Sequence, residues 1–301
     1  MKKLKAFQWV FLGMIGTGLL LGFISMCMFG WDFDNVKAAV TQAKFYGDAP
    51  ITKTIDPADK TQVSLDLGNQ SVAVTKTTDS EFTLTWWEHS RYTKTTFSDG
   101  ETDGKIYLKL REKFSFRMNL WTASKYSKVT IAVPETFVGE IKIIAHNGDI
   151  NVKDLDVSVI DIKNSNGRSE VKNCTADNIV IVNSNGDIKL DGVTAPEVSL
   201  KNFNGRSEIA DTEADTITAN NSNGNIIIKG TTAKDVTVNN SNGTNDITLH
   251  GDADDYYIEF KNYNGSSWLN GSKCSGIVRT GTHGTIKITT HNGTNKLKFT
   301  A

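Results

Sequence analysis

Three cysteines and four prolines in 301 residues are too few for two common kinds of construction. Cys27, Cys174 and Cys274 cannot supply the disulfide framework of a small secreted domain. Scarce proline beside 25 glycines, with abundant Asn, Thr and Ser, favours many turns and few helices. A formal net charge of −1 excludes a strongly basic nucleic-acid surface. No glycine-rich phosphate loop, nucleophile elbow or calcium-binding nonapeptide is present. His89, His146, His250, His283 and His291 stand at no ligand spacing from another His, Cys or carboxylate, so no metal and no cofactor is expected.

Long apolar runs are missing too, with one exception at residues 6–31. A membrane-spanning helix needs about 20 apolar residues, and this run exceeds that. Lys2, Lys3 and Lys5 precede it, and Trp9 and Trp31 sit where interfacial aromatics belong. The expectation is a cytoplasmic tail over residues 1–5, a transmembrane helix over 6–31 and the remainder outside a cell membrane crossed once. A cleaved signal peptide is the rival reading, but its apolar stretch is only about 7–15 residues and ends at a small-x-small site. Cys27 invites a lipoprotein reading, against which Met26 is bulky where that signal needs a small residue. Residues 32–55 form a juxtamembrane segment, with Val36, Ala39, Val40 and Ala43 at helical spacing.

What the chain has in quantity is a repeat. Asn164-Ser-Asn-Gly167 recurs as Asn183-Ser-Asn-Gly186, Asn202-Phe-Asn-Gly205, Asn221-Ser-Asn-Gly224 and Asn240-Ser-Asn-Gly243. With Gly148 in front, these glycines are always 19 apart. Asn262-Tyr-Asn-Gly265 follows at 22 and Gly284 again at 19, so a three-residue insertion is placed within 245–257. Counted from each glycine, apolar residues fall into columns. Val152, Val171, Leu190, Ile209 and Ile228 form one column. Ile160, Ile179, Val198, Ile217 and Val236 form a second, and Ile162, Ile181, Leu200, Ala219 and Val238 a third two places later. That offset of two is strand alternation, so each period holds at least two short strands.

A meander of hairpins would reverse direction at each Asn-Gly, whereas here one unit recurs intact. Identical positions therefore stack in parallel, which defines an all-β fold: a parallel β-solenoid of 19-residue coils. Stacking sets like residues about 4.8 Å apart, so Asn columns can form amide ladders while Gly supplies positive φ. Charges alternate in two columns, Asp149, Arg168, Asp187 and Arg206 in one, Glu170, Lys189 and Glu208 in the other. Only a parallel stack makes these neighbours, and the expectation is ion-pair ladders that set register.

The regular coils are assigned to residues 138–284. Upstream, 56–137 alternates irregularly, as in Val63-x-Leu65-x-Leu67 and Ile106-x-Leu108-x-Leu110, and reads as a capping region. Downstream, 285–301 carries a last His-Asn-Gly and reads as a closing hairpin, and Arg279 marks the end of the regular stack. Cys174 and Cys274 then lie several coils apart, beyond the roughly 7 Å that a disulfide spans, and both read as small buried residues.

Lys128–Lys189 reads Val129-Thr-Ile-Ala-Val-Pro134, Ile141-Lys-Ile-Ile-Ala-His-Asn-Gly-Asp-Ile150 and Asn-Ser-Asn-Gly-Asp-Ile188. It resembles the bacterial putative-adhesin family, a domain of unknown function in membrane-anchored envelope proteins of Gram-positive bacteria. The likeness covers roughly residues 61–301. It implies the repeat fold and a place near Lia-type envelope-stress clusters, and it brings no catalytic motif.

For chemistry, Asp149, Asp187, Glu170, Glu208, Arg168 and Arg206 are the best acid, base and cation candidates. Each is already explained by the periodic ladder, and a site should break a repeat rather than follow it. The expectation is a non-enzymatic interaction protein, with a cell-wall glycan-binding module and a carbohydrate-active enzyme as the alternatives. Its partners would be the membrane and a cell-wall polymer or another envelope protein. The irregular stretch Trp86–Tyr92, with Phe97, Trp121 and Tyr126, offers Trp87 and Tyr92 for stacking on sugars, against the plainer reading that Trp86 is core. Phe203 and Tyr263 replace Ser in the tetrads and should project from the turn edge.

Overall fold

The computed structural model describes residues 49–88, 93–112 and 127–300. Its strands open with β1 (Ile51–Ile55), β2 (Gln62–Leu67), β3 (Ser71–Thr77), β4 (Phe82–Trp86), β5 (Thr93–Ser98), β6 (Lys105–Glu112) and β7 (Lys128–Pro134). The regular repeat follows as β8 (Glu140–Asn147), β9 (Ile150–Lys153), β10 (Asp156–Asn166), β11 (Ser169–Lys172), β12 (Thr175–Asn185) and β13 (Ile188–Asp191). It continues through β14 (Glu197–Asn204), β15 (Ser207–Ala210), β16 (Glu213–Asn223) and β17 (Ile226–His250). The chain ends in β18 (Tyr256–Leu269), β19 (Ser272–Cys274), β20 (Gly276–Thr280) and β21 (Gly284–Thr300).

From β8 to β17 each coil lies on the next in parallel and at the 19-residue register. Ile160 faces Ile141 on one side and Ile179 on the other, and Val171 faces Val152 and Leu190. The three apolar columns point inward and are essentially inaccessible to water. Adjacent coils thus bury what neither buries alone, which is the stabilising logic of a solenoid. A third inward face, unread in the sequence, closes each coil. It carries Leu155, Cys174, Val193, Thr212 and Thr231, with Val157 and a run of alanines two places on. Its strand bridges are short, such as Thr175 with Thr194 and Thr194 with Glu213. The chain enters it through a second turn column in which Asp154, Asn173, Gly192, Asp211 and Gly230 all have φ between +47° and +64°.

Stacking order departs from chain order at both ends. At the C-terminal end β17 pairs with β21, and β21 pairs in parallel with β18: Val236 faces Ile286, which faces Ile258. The last strand therefore slots between two earlier ones, and 285–301 is not a capping hairpin. The three extra residues between Gly243 and Gly265 let the chain step over one coil and leave a slot that β21 fills. Likewise Gly284 is not the final ladder glycine. That role falls to Gly293, which lies between Gly243 and Gly265. At the other end β2 sits between β6 and β8, and β3 between β7 and β9.

Antiparallel strands cover both outermost coils. β5 pairs with β6, β4 with β7 and β1 with β4, while β19 and β20 pair with β18. Free parallel edges are thereby occupied. Trp86 is core, 2% exposed, with its ring 5.6 Å from that of Phe97.

The single-pass localisation expected from residues 6–31 is overturned: among the described residues no helix is long and apolar enough to cross a membrane. Residues 1–48, on which the tail, the spanning helix and most of the juxtamembrane segment were placed, lie outside the described residues.

Candidate functional site: the turn edge

The Asn-x-Asn-Gly turns build one edge of the solenoid, and its two asparagine columns do different work. The first asparagine of each tetrad points inward. Nδ2 of Asn164, Asn183, Asn202, Asn221 and Asn240 donates to the carbonyl oxygen of Gly148, Gly167, Gly186, Gly205 and Gly224 respectively, at 2.8–2.9 Å. Asn262 does the same to Gly293 at 3.0 Å, following the stacking order rather than the chain order. A turn carbonyl that would otherwise be buried without a partner is satisfied in each coil.

The second asparagine of each tetrad points out and forms an amide ladder. Asn147 donates to Asn69, Asn166 to Asn147, Asn185 to Asn166, and so on through Asn204, Asn223 and Asn242. The ladder then passes to Asn292 at 2.8 Å and from there to Asn264 at 3.0 Å. It runs unbroken along the stack and marks the slot of β21.

The charged columns are neighbours in register, with Glu170 beside Lys189 and Lys189 beside Glu208. Their contacts differ from the expected ion-pair ladder. Asp149 Oδ1 accepts from the backbone N–H of Arg168 at 2.8 Å, and Asp187 Oδ1 from that of Arg206 at 2.9 Å. A short carboxylate reaches the next coil's backbone more easily than a mobile guanidinium, so the aspartates cap turns. Arg206 pairs with Glu208 of its own coil at 2.8 Å. Lys189 and Lys172 both meet Asp191, at 3.2 and 3.4 Å. The hydrogen bond from Lys189, and behind it that from Lys172, holds the Asp191 carboxyl below its ordinary pKa, and the same bond raises that of Lys189.

Among the described residues no group of three His, Cys, Asp or Glu is placed to hold a metal ion. Cys174 is buried in the third face and unpaired, its thiol pushed up to about 11 by burial. Cys274 is only half-buried, against the expectation of a core position.

Of the expected aromatic contacts, Trp87 is half-buried beside Trp86, and Tyr92 lies outside the described residues. Phe203 and Tyr263 do project from the edge, 40% and 67% exposed. Lys201 Nζ sits 5.0 Å over the Phe203 ring, and Tyr263 is stacked on His291 at 4.8 Å with an 11° interplanar angle. Sequence reading missed His291 as a partner, because 28 residues separate it from Tyr263 and only the slotted strand brings them together.

Between these two aromatic groups lies a groove of about 330 Å³. One bank carries Asn220 and Asn239, the other Ser222 and Ser241, with Lys201 at one end and Thr289 and His291 at the other. Asn239 donates to Asn220 Oδ1 at 2.9 Å.

A parallel β-solenoid closed by antiparallel strands at both ends, with a polar turn edge, is the class of domain these features define. Within that class the chain belongs to the Toastrack DUF4097 family, whose sequence profile matches residues 61–299, and the resemblance carried by Lys128–Lys189 is borne out. The chain is similar in fold to a putative lipid binding protein from Parabacteroides distasonis (TM-score 0.50, 14% identity, 85% of this chain and 98% of that one). It is also similar to a putative adhesin from Bacteroides fragilis (0.47, 16%, 84% and 98%). A putative cell adhesion protein from Clostridium sporogenes aligns more loosely (0.30, 11%, 83% and 100%). No curated protein matches the chain.

Proposed function

We propose that this chain is a non-enzymatic interaction protein of adhesin type, and that the turn edge is its contact surface. One observation carries the reading: Phe203 and the Tyr263–His291 stack stand exposed on an otherwise polar edge, where the repeat itself uses serine. Exposed aromatics that the fold does not require are typical of contact surfaces. Of the carboxylates that looked like acid–base candidates, Asp149 and Asp187 cap turns and Glu208 pairs with Arg206, which supports a scaffold over a catalyst.

The test is retention of the purified full-length protein on intact bacterial cells. Ser184→Arg with Ser222→Arg crowds the edge. Thr175→Arg with Thr232→Arg alters an exposed position of the third face to the same degree. Loss of retention with the edge pair alone is the expected result, and equal retention by both pairs overturns the reading.

A further inference from the structure

We propose that the groove between Lys201 and His291 is a saccharide site that takes a short oligosaccharide of neutral pyranose rings, an inference that rests on the adhesin reading of the same edge.

Shape comes first. The groove spans the two coils that carry Ser222 and Ser241, and its ends are built up on both sides. At one end stands Lys201 with the Phe203 ring below its ammonium, and at the other His291 backed by Tyr263. In stacking order Phe203, Ser222, Ser241, His291 and Tyr263 occupy one column, since Asn202, Asn221, Asn240, Thr290 and Asn262 are successive partners. Lys201, over the Phe203 ring, and His291, stacked on Tyr263, therefore bound a trough about three coil steps long, roughly 14 Å at 4.8 Å per coil. Its volume is at the lower end of the roughly 300–1,000 Å³ of small-molecule sites.

Chemistry then selects the ligand. Groove residues Asn220, Asn239, Ser222, Ser241 and Thr289 offer neutral donors and acceptors, and no carboxylate lines it. Asn239 uses one N–H on Asn220 Oδ1, which leaves the Asn220 amide hydrogens and the Asn239 side-chain oxygen available to a ligand. The hydroxyls of Ser222 and Ser241 have no protein partner among the described residues. Paired amides and hydroxyls between exposed rings match a molecule with hydroxyls at its rim and apolar C–H faces. A pyranose chain has that character. A peptide strand would need free backbone N–H and C=O groups at a sheet edge, which the stacked coils do not offer here. A nucleic acid would need several cations, and Lys201 is the one Lys or Arg in the groove.

The stacking order makes this site. Thr289 and His291 come from β21, which meets Asn239 and Ser241 of β17 only because the last strand is slotted in.

The experiment is titration calorimetry of the full-length protein with cellotetraose, tetra-N-acetylchitotetraose and xylotetraose, preceded by a glycan array of neutral oligosaccharides. Binding of at least one is expected. His291→Ala should weaken it about tenfold, the size of one lost aromatic contact, and Phe203→Ala and Tyr263→Ala, which remove the rings that support Lys201 and His291, should weaken it less. Ser241→Trp, which fills the trough from an exposed position, should abolish binding with the thermal midpoint unchanged. No binding across array and titrations overturns the proposal, and so does binding that survives Ser241→Trp. If edge substitutions abolish retention on cells while no oligosaccharide binds, the adhesin reading stands and the saccharide site falls. If retention ignores the edge, the adhesin reading falls whatever the titrations show.

Discussion

At Gly205 the backbone φ is +132°, and a Cβ would overlap the carbonyl oxygen of Gly186 one coil earlier. That oxygen also accepts the Asn202 side chain. Gly205→Ala therefore meets positive-φ strain and a steric clash together, and should lower stability by about 2–4 kcal/mol in urea unfolding. An Ala at the exposed Asn185 should cost less, since the ladder bonds it removes, to Asn166 and from Asn204, are solvent-exposed. Asp191 answers to pH. Its folded pKa is below its unfolded value near 3.9, so its ion pairs stabilise the fold above that value, and this contribution is lost as pH falls through the folded pKa. Asp191→Asn should flatten the acid side of the stability curve below about pH 4 and leave its shape above pH 6 unchanged. An unaltered acid limb in the variant would refute the assignment.

β21 is the element that organises the C-terminal end, and a buried polar network fixes it there. Asn245 of β17 donates to both Thr290 and Asn295 of β21 at 2.8 Å, and Asn295 donates to Ser267 of β18 at 3.1 Å. All four side chains are at most 2% exposed. Earlier coils carry Ile150, Ser169, Ile188, Ser207 and Ile226 in the column of Asn245, so the switch to amides marks the slot. Such a network stabilises one partner arrangement, because any other leaves buried amides unsatisfied. Amides of β21 should then exchange with solvent as slowly as those of β16, although β21 lies at the C-terminus. Exchange on the timescale of fraying termini would show that the strand is peripheral. The sequence made the regular coils legible because glycine and β-branched residues occupy columns that nothing else explains. It did not make the slot legible: Gly284 sits 19 residues after Gly265 by coincidence, while Gly293 does the stacking. Nor did it reveal the third face, where Cys174, Val193, Thr212 and Thr231 share no residue class. The charge columns were visible as neighbours, but side-chain length decided their partners.

Across the whole molecule, one stack carries structure and candidate function alike. The amide ladder runs from Asn69 to Asn264, and the groove sits where chain order and stacking order part. A stack in chain order would put Tyr263 next to Ser241 and leave His291 and Thr289 outside the groove. The proposed site depends on the interleaved order. Disulfide cross-linking tests it directly, in a chain whose own cysteines are replaced by serine. Thr237 and Lys287 face each other, as do Glu259 and Lys287, whereas Thr237 and Glu259 are two coils apart. Two coil steps are about 9.6 Å, beyond the 7 Å limit for a disulfide. Cysteine pairs at 237 with 287 and at 259 with 287 should oxidise readily and keep the protein folded, while the pair at 237 with 259 stays reduced. Ready formation of the 237–259 bridge, with the other two pairs unreactive, would contradict the interleaved stack.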